Sequence, residues 1–313
     1  MKKLLLNELK LVYPPISNQE GVWLWEDSEV REYVKKSKLY MIGHRKELKF
    51  KEVCFFPEGF EVISFRLELG ETVSPTIKLC IKDIMMNLTG DSHIQCEFCD
   101  KLIKIKDEHK ILYWATPDSF LFQYSRNGAK AILESSFDLK VFSHFELYYV
   151  GISKENDSFS RLFKQAHKGR LNILSNETQK VKESRLTDEL MIFMFDIDSI
   201  NINSVIYGDE ILDDEDFYNK FNYHTDDELI IADAEKAFVK LMNTKHNEVK
   251  YLSYPEGKDG LYGECLDRYS YSIDEDIIFS TDAIEFVGAL GIEKPKDIII
   301  VDGDIAEIIK LTT

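Results

Sequence analysis

Long apolar runs are missing from this sequence. No segment approaches the roughly 20 consecutive apolar residues that a membrane-spanning helix needs, so we expect no association with a membrane. Residues 1–6 imitate the start of an export signal, but Asn7, Glu8 and Lys10 interrupt the apolar run. These absences predict a cytoplasmic protein.

Cysteine is also scarce, and repeats are lacking. The five cysteines are an odd number and do not have the spacing of a disulfide framework, which excludes the small disulfide-stabilised class. No internal repeat or low-complexity tract is present, so a repeat architecture is excluded as well. The thiols agree with a reducing compartment.

Basic residues are few for a protein that handles nucleic acid. The formal net charge is -17, whereas affinity for phosphate backbones comes mainly from Lys and Arg. The distribution of charge is uneven, because residues 1–135 hold equal numbers of acids and bases and nearly all the excess acid lies beyond residue 186. Residues 154–185 are locally basic through Lys154, Arg161, Lys164, Lys168, Arg170, Lys180, Lys182 and Arg185. This basic segment is either a phosphate-binding surface or the solvated face of an amphipathic helix.

The length of 313 residues favours two domains, or one domain with a sizeable extension. The patterns predict an α+β protein in three parts. Residues 1–135 form a β-rich domain that recognises a substrate, partner or trigger, with alternation at 60–67 and 101–106 and a short helix near 29–38. Residues 136–255 form a small mixed or antiparallel sheet flanked by helices. Residues 256–313 form a β-containing extension packed on that second domain.

The second part carries the clearest local patterns. We expect a strand hairpin at 139–142 and 145–151, followed by one helix over about 158–174. The apolar run at 190–195 suits a buried strand, and 229–243 predicts a helix. Between them, the acidic segment 207–227 has few apolar anchors and is expected to be an exposed loop or a short helix.

Four residues in this part match the tasks of phosphodiester hydrolysis, which needs an activated water and compensation for phosphate charge. Glu235 can hold a hard cation such as Mg²⁺ or Mn²⁺, which needs few protein ligands. Arg161 offers a permanent charge for a phosphate, and Tyr149 and His167 can position or deprotonate the water. On one helix, Arg161 and His167 would lie about 120° apart, whereas Lys164 is better aligned with Arg161.

These residues, in this order, resemble the GIY-YIG nuclease superfamily. Tyr149-Val150-Gly151 is similar to the second strand signature of the family, and Arg161 and His167 are similar to its helix Arg and to a His found in restriction-type members. Glu235 resembles the family's metal-binding Glu, and Asn247 its late Asn. The resemblance covers roughly residues 137–255 and implies a metal-dependent endonuclease with these five residues in its site.

The first motif of the family, a Gly-Ile-Tyr strand, is not apparent. Its nearest counterpart, Lys140-Val141-Phe142, has neither the glycine nor the tyrosine hydroxyl. Three explanations stand: Tyr148 or Tyr124 supplies the hydroxyl, the water is activated differently, or the site is degenerate.

A second cluster of metal-ligand residue types lies at His93, Cys96 and Cys99. Thiolates and an imidazole suit a structural Zn²⁺, and His109 or Cys80 would have to complete four ligands. Ordinary reduced cysteines are the competing explanation.

The leading hypothesis is a Mg²⁺-dependent endonuclease that acts on nucleic acid, DNA rather than RNA, in restriction or antiviral defence. One alternative is a non-catalytic binding or scaffold protein that keeps the nuclease fold. Another is an acidic mimic of nucleic acid that inhibits a DNA-binding protein. The carboxylate of Glu235 separates these hypotheses, because only an active nuclease requires it.

Overall fold

The computed structural model describes residues 2–56, 61–85, 94–154, 157–164, 167–204 and 225–311. Its strands are β1 (Lys2–Leu11), β2 (Ile16–Ser17), β3 (Leu39–His44), β4 (Leu48–Phe55), β5 (Val62–Leu69), β6 (Thr72–Val73), β7 (Ile77–Cys80), β8 (Gln95–Cys99), β9 (Leu102–Lys106), β10 (Ile111–Ala115), β11 (Ala131–Leu133), β12 (His144–Ile152), β13 (Leu190–Ser204), β14 (Arg268–Ile273), β15 (Ile278–Ser280), β16 (Glu285–Val287), β17 (Ile298–Asp302) and β18 (Ile305–Ile309).

The helices are α1 (Asn18–Leu24), α2 (Ser28–Val34), α3 (Lys82–Met85), α4 (Pro117–Ser125), α5 (Ser158–Phe163), α6 (Lys168–Asn176), α7 (Leu186–Glu189) and α8 (Asp227–Met242), with short 3₁₀ helices at Leu139–Ser143 and Leu261–Gly263. Among the described residues, no helix is both long and apolar enough to cross a bilayer. The acidic segment 207–224 lies outside the described residues.

The fold is α+β and is built around one large mixed sheet. Its ten strands run in the order β16-β15-β12-β3-β13-β1-β14-β17-β18, with β2 paired to β13. Most neighbours are antiparallel, whereas β1–β14 and β12–β15 are parallel pairs. The sheet is therefore larger than the small one expected from the sequence.

Hydrogen bonding in this sheet does not follow the expected division at residues 135 and 255. Strands β1 and β3 precede residue 135, yet β1 pairs with β13 and β14, and β3 pairs with β12 and β13. Leu5 and Leu9 of β1 are fully buried in the same core as Phe238 of α8. Strands from all three ranges therefore belong to one sheet, and Leu5 and Leu9 share a core with residues of the second and third ranges.

Residues 45–143 form an inserted unit between β3 and β12. It contains a five-stranded sheet (β11-β7-β5-β4, with β6 on β5), a three-stranded sheet (β10-β9-β8) and its own apolar core. The prediction of a strand at 139–142 is wrong, because these residues form the 3₁₀ helix Leu139–Ser143. Asp138 caps this helix by accepting a hydrogen bond from the Lys140 amide at 2.9 Å, and Leu139 and Phe142 point into the unit's core.

Alternation along the central strands separates two cores on the two faces of the large sheet. On β3, Leu39 and Met41 belong to the core that α8 covers, whereas Tyr40 and Ile42 belong to the core that α2, α5 and α6 cover. The buried strand expected at 190–195 and the helix expected at 229–243 are confirmed as parts of β13 and as α8.

A β-bulge in β12 breaks this alternation at one position. Leu147 pairs with Gly43 and Tyr149 pairs with Ile42, so Tyr148 has no partner on β3. The extra residue turns Tyr148 and Tyr149 toward the same core, while Leu147 and Val150 face the other one. Bulges re-aim side chains in this way next to functional sites.

Candidate active site

Tyr149 lies against Tyr40, a residue of the neighbouring strand β3. Their ring planes are 20° apart and their centroids are separated by 6.2 Å. Tyr40 is paired with Gly151 in the antiparallel ladder, which sets the two tyrosines side by side on one face. Two phenol hydroxyls therefore meet where β12 ends.

Two glycines make this close packing feasible. A Cβ at Gly151 would lie 2.6 Å from Cε1 of Tyr149 and 2.6 Å from the Tyr40 hydroxyl. A Cβ at Gly169 would lie 2.6 Å from Cε2 of Tyr149. The glycine of Tyr149-Val150-Gly151 is thus explained by the approach of the two rings.

His167 is the N-cap residue of α6 and completes the cluster. The expected single helix over 158–174 is wrong: α5 ends at Phe163 and α6 begins at Lys168. The imidazole Nδ1 accepts a hydrogen bond from the Arg170 amide at 2.8 Å, which caps α6. Because His167 is not on the helix of Arg161, the expected 120° separation between the two side chains does not arise.

The tautomer of His167 follows from this cap. Burial, together with the charges of Arg161 and Arg170, lowers the pKa of His167 to about 4, so the ring is neutral near pH 7. Since Nδ1 accepts, Nε2 carries the proton and donates it to the Tyr40 hydroxyl oxygen, 2.6 Å away. Tyr40 is only 1 % exposed and His167 only 2 %, so water does not compete for this bond.

The Tyr40 proton is then directed toward Tyr149. Burial raises the pKa of Tyr149, and the charge of Glu235 raises it further, whereas the hydrogen bond with Tyr40 lowers it. The same bond raises the pKa of Tyr40, as expected for the donor. A chain of hydrogen bonds thus runs from the Arg170 amide through His167 and Tyr40 to Tyr149.

Arg161 supplies positive charge to this cluster from α5. Burial raises the pKa of Tyr40 and Tyr149 and lowers that of His167, and the charge of Arg161 lowers the pKa of all three. Asp157 fixes the start of α5 by accepting a hydrogen bond from the Ser160 amide at 2.8 Å. The arrangement favours an anion beside the tyrosines.

Glu235 faces the same site from α8. Burial raises the pKa of Glu235 to about 7, while a hydrogen bond from Tyr251 (3.2 Å) and the charges of Lys154 and Lys236 oppose this rise. Desolvation outweighs these partners, so the carboxylate is under-compensated in the folded chain. A half-buried carboxylate of this kind suits a bound cation.

A second buried carboxylate on α8, that of Asp233, anchors the helix. Four groups donate hydrogen bonds to it at 2.8–3.3 Å: the hydroxyls of Tyr254, Tyr269 and Tyr271 and the amide of Leu261. These bonds tie α8 to β14 and to the loop after the helix. Glu235, two residues further along, is held in place as a result.

Asn247 stabilises the strand that carries Tyr149. Its Oδ1 accepts a hydrogen bond from the Val150 amide at 3.0 Å, and its Nδ2 donates one to the Val150 carbonyl at 2.7 Å. Thr244 donates a further bond to Oδ1 at 2.8 Å. With both ends of the amide engaged, Asn247 acts on the site by positioning β12.

Neither tyrosine expected to replace the first motif reaches this cluster. The Tyr148 hydroxyl lies 2.8 Å from Nδ1 of His44 and 3.2 Å from Glu177, in a separate polar network. Tyr124 lies on α4 and packs on Phe120 in the core of the inserted unit. The second hydroxyl comes instead from Tyr40.

The sequence does not point directly to Tyr40, because its strand does not immediately precede β12 in the chain. Ser37-Lys38-Leu39-Tyr40 does carry a usable signal, since it opens a short apolar run before Gly43. The inserted unit separates this run from β12 along the chain. A search for a tyrosine-bearing strand on either side of the unit would have found it.

Much of the basic segment 154–185 is neutralised locally. Lys168 pairs with Glu248 at 2.6 Å, Lys180 with Glu146 at 2.7 Å and Arg185 with Asp188 at 2.8 Å. Lys154 and Arg161 instead act electrostatically on Glu235 and the tyrosines. Lys164 is exposed just after α5.

The zinc hypothesis stays a prediction. Cys96 and Cys99 lie on β8, where Cys96 is partly exposed and Cys99 is exposed, whereas His93 falls outside the described residues. Within the described ranges, no group of three or more His, Cys, Asp or Glu side chains is placed to hold a metal ion.

Comparisons of the chain with protein-family models, with curated proteins and with solved structures found no match.

Proposed function

We propose that this chain is a metal-dependent endonuclease of the GIY-YIG type, which hydrolyses phosphodiester bonds in nucleic acid. The observation that carries the proposal is the meeting of Tyr40, Tyr149 and His167 in one hydrogen-bonded cluster, within electrostatic reach of Arg161 and Glu235. Tyr40 and Tyr149 on adjacent antiparallel strands match the arrangement that the two strand motifs of this superfamily imply.

Glu235 would hold the metal ion. Its carboxylate oxygens are hard ligands, its burial leaves the negative charge under-compensated, and Mg²⁺ uses few protein ligands because it keeps several waters. The absence of a three-residue metal cluster in the described ranges is compatible with such a site. A bound Mg²⁺ would supply charge compensation at the phosphate and leaving oxygen.

The remaining residues divide the other tasks. Arg161 would bind a phosphate oxygen through its guanidinium, whose planar fork of donors matches phosphate geometry. Tyr149 stays a neutral phenol because burial raises its pKa, so it would orient the attacking water through its hydroxyl oxygen, and the hydrogen bond from Tyr40 holds that hydroxyl in place. Neutral His167 holds the Tyr40 hydroxyl in the required orientation through its Nε2–H.

The charge of the chain points to conditional activity. A net charge of -17 weakens non-specific attraction to polynucleotides, so local contacts near Arg161 and Lys154 would have to supply the affinity. We propose DNA as the substrate, with the inserted unit 45–143 acting as the recognition or trigger element. Restriction and antiviral defence are the biological settings that fit a nuclease of this kind.

The test is cleavage of labelled single- and double-stranded DNA and RNA at low salt, with Mg²⁺ or Mn²⁺. Glu235→Gln keeps the shape of the side chain and removes its charge, so we expect cleavage to fall to background. Glu228→Gln is the matched control, because Glu228 is exposed in the first turn of the same helix. Equal activity in wild type and Glu235→Gln would refute the assigned metal ligand. A lack of cleavage on every substrate, with and without candidate partners, would favour a non-catalytic binding protein.

A further inference from the structure

A cavity of about 550 Å³ lies between α4 of the inserted unit and the large sheet. This volume falls in the range of small-molecule sites. One wall is apolar and includes Leu121, Phe122, Phe137, Leu139 and Phe145. Phe145 and Tyr149 belong to the cores on opposite faces of the large sheet, so the cavity is distinct from the candidate active site.

Most charged groups around the cavity already have a partner. Arg126 pairs with Glu275, Lys294 pairs with Asp276 at 2.7 Å, and Lys130 pairs with Asp83 at 2.6 Å. Asp118 accepts two hydrogen bonds from Arg45, both at 2.8 Å. Charge is therefore balanced locally at these positions.

Two charged residues of the cavity wall form no ion pair among the described residues: Asp138, which is exposed and caps the 3₁₀ helix, and Lys140. The ammonium group of Lys140 donates a hydrogen bond to the Gly288 carbonyl at 2.7 Å, and among the described residues no carboxylate lies within 4.0 Å of it. The side chain is half-buried, and burial lowers the pKa of Lys140. An ammonium group has three donors, so Lys140 offers two more to an acceptor in the cavity.

The same cavity contains a nearly buried carboxylate, that of Glu275, which is 2 % exposed. Its Oε1 accepts hydrogen bonds from the Leu11 amide (2.7 Å) and from Arg126. Burial raises the pKa of Glu275 to about 7. A half-buried cation and a nearly buried acid in one cavity, each with its pKa moved toward neutrality, are typical of ligand sites.

We propose that this cavity binds a small organic anion whose charged group contacts Lys140 and whose aromatic or aliphatic body lies against Phe122, Phe137 and Phe145. An anion is favoured over a cation because Asp118, Glu275 and Asp276 are engaged by neighbouring bases and Asp138 is exposed, whereas the half-buried Lys140 has no carboxylate within 4.0 Å among the described residues. The apolar wall favours a molecule with a hydrophobic body over inorganic phosphate.

The position of the cavity gives the ligand a structural effect. One end of α4 is attached through Asp118 to Arg45, the residue that directly follows β3, and its other end is attached to the loop after β14 through Arg126 and Glu275. The cavity lies between these two attachments. A bound molecule would therefore stabilise the docking of the inserted unit on the sheet, and ligand binding would raise the unfolding temperature.

The test uses two fluorescent probes that differ in charge, the anion 1-anilinonaphthalene-8-sulfonate and its uncharged analogue N-phenyl-1-naphthylamine. Titration of the folded full chain should give one anion bound per molecule. The anion should bind roughly tenfold more tightly than the neutral probe, as expected for one hydrogen bond to a charged group. Neither measurement depends on nuclease activity.

Three variants locate the binding. Lys140→Gln should remove the preference for the anion, and Lys140→Arg should keep it. Ala129→Phe places a large side chain in the cavity and should weaken the binding of both probes. Lys110→Gln is the control, because it makes the same charge change at an exposed hairpin turn. Circular dichroism and thermal unfolding establish that each variant is folded. Unchanged anion affinity in folded Lys140→Gln, or no binding by folded wild type, would overturn the proposal.

Discussion

The Tyr40 hydroxyl lies 2.6 Å from Nε2 of His167, although the two residues are 127 positions apart in the sequence. This bond connects β3 to the start of α6 across the inserted unit. Because Nδ1 of His167 is already an acceptor, the donor and acceptor roles in the bond are determined. Tyr40 consequently directs its own proton toward Tyr149.

We therefore predict a large effect from Tyr40→Phe. The variant loses the hydroxyl that orients Tyr149 and leaves the buried Nε2–H of His167 without its acceptor. Turnover should fall by roughly 10²-fold, the size of the effect of a misplaced catalytic group. The free energy of unfolding should fall by about 1–3 kcal/mol. Tyr33→Phe, at a tyrosine that is 63 % exposed, should change neither quantity. If Tyr40→Phe had the turnover of the wild type, Tyr40 would not be a functional part of the site.

Gly151→Ala should displace both tyrosine rings. The added Cβ would lie 2.6 Å from atoms of Tyr149 and Tyr40, a distance that requires one of the rings to move. We expect a loss of about 1–3 kcal/mol in stability, as for other overpacked cores, together with a loss of cleavage. Gly263→Ala is the control, because a Cβ there meets nothing within 4 Å. Equal denaturation midpoints for the two variants would contradict the packing described at Gly151.

Glu235 should make stability depend on pH in a definite direction. Its pKa is 4.5 in the reference state and about 7 in the folded chain. Between these values the folded state binds more protons than the unfolded state, so the free energy of unfolding falls as pH rises from about 4.5 to about 7. The contribution of this residue is on the order of 2–3 kcal/mol.

The measurement is chemical denaturation of wild type and Glu235→Gln from pH 4.5 to 8 in the presence of a chelator. Burial also raises the pKa values of Glu20 and Glu275 to about 7, so the difference between the two proteins isolates Glu235. Glu235→Gln should lose less stability than wild type over this window. Parallel curves for the two proteins would show that Glu235 ionises normally.

Asn247→Ala should reduce cleavage by displacing strand β12, and not by removing a group that takes part in the chemistry. It removes the amide that bonds both backbone groups of Val150, so we expect a loss of roughly 2–4 kcal/mol for two buried groups left unsatisfied. Cleavage should weaken with a changed KM as well as a changed kcat, because Tyr149 shifts. Asn201→Ala, at an exposed position on β13, is the comparison. A fully stable Asn247→Ala that had lost only kcat would indicate direct participation in catalysis.

The sequence predicts those elements whose pattern is contained in their own residues. Alternation identified β5 and β9, an apolar run identified the buried part of β13, and helical periodicity identified α8. It could not predict that β1 lies between β13 and β14, because strand pairing depends on partners far away in the chain. For the same reason, the sequence predicts a boundary at residue 135, although β1 and β3 pair with strands that follow it.

The candidate site shows the same contrast between what the local sequence predicts and what depends on long-range strand pairing. Residue type and order point to Tyr149, Arg161, His167 and Glu235. The rings of Tyr149 and His167 are in contact, and the charges of Arg161 and Glu235 act on Tyr149. The role of Asn247 as a backbone partner of Val150 and the contribution of Tyr40 required the strand register. The break between α5 and α6 was missed because His167, an uncommon N-cap residue, looks like part of a continuous helix.

The central position of β1 has a consequence for synthesis of the protein. This strand leaves the ribosome before its partners at residues 195–204 and 268–273 exist. Leu5, Leu9 and Leu11 must remain in solution or in contact with a chaperone until β13 and β14 have emerged. Strand β1 is thus made well before it can be buried, and truncated chains that end before β14 are expected to aggregate.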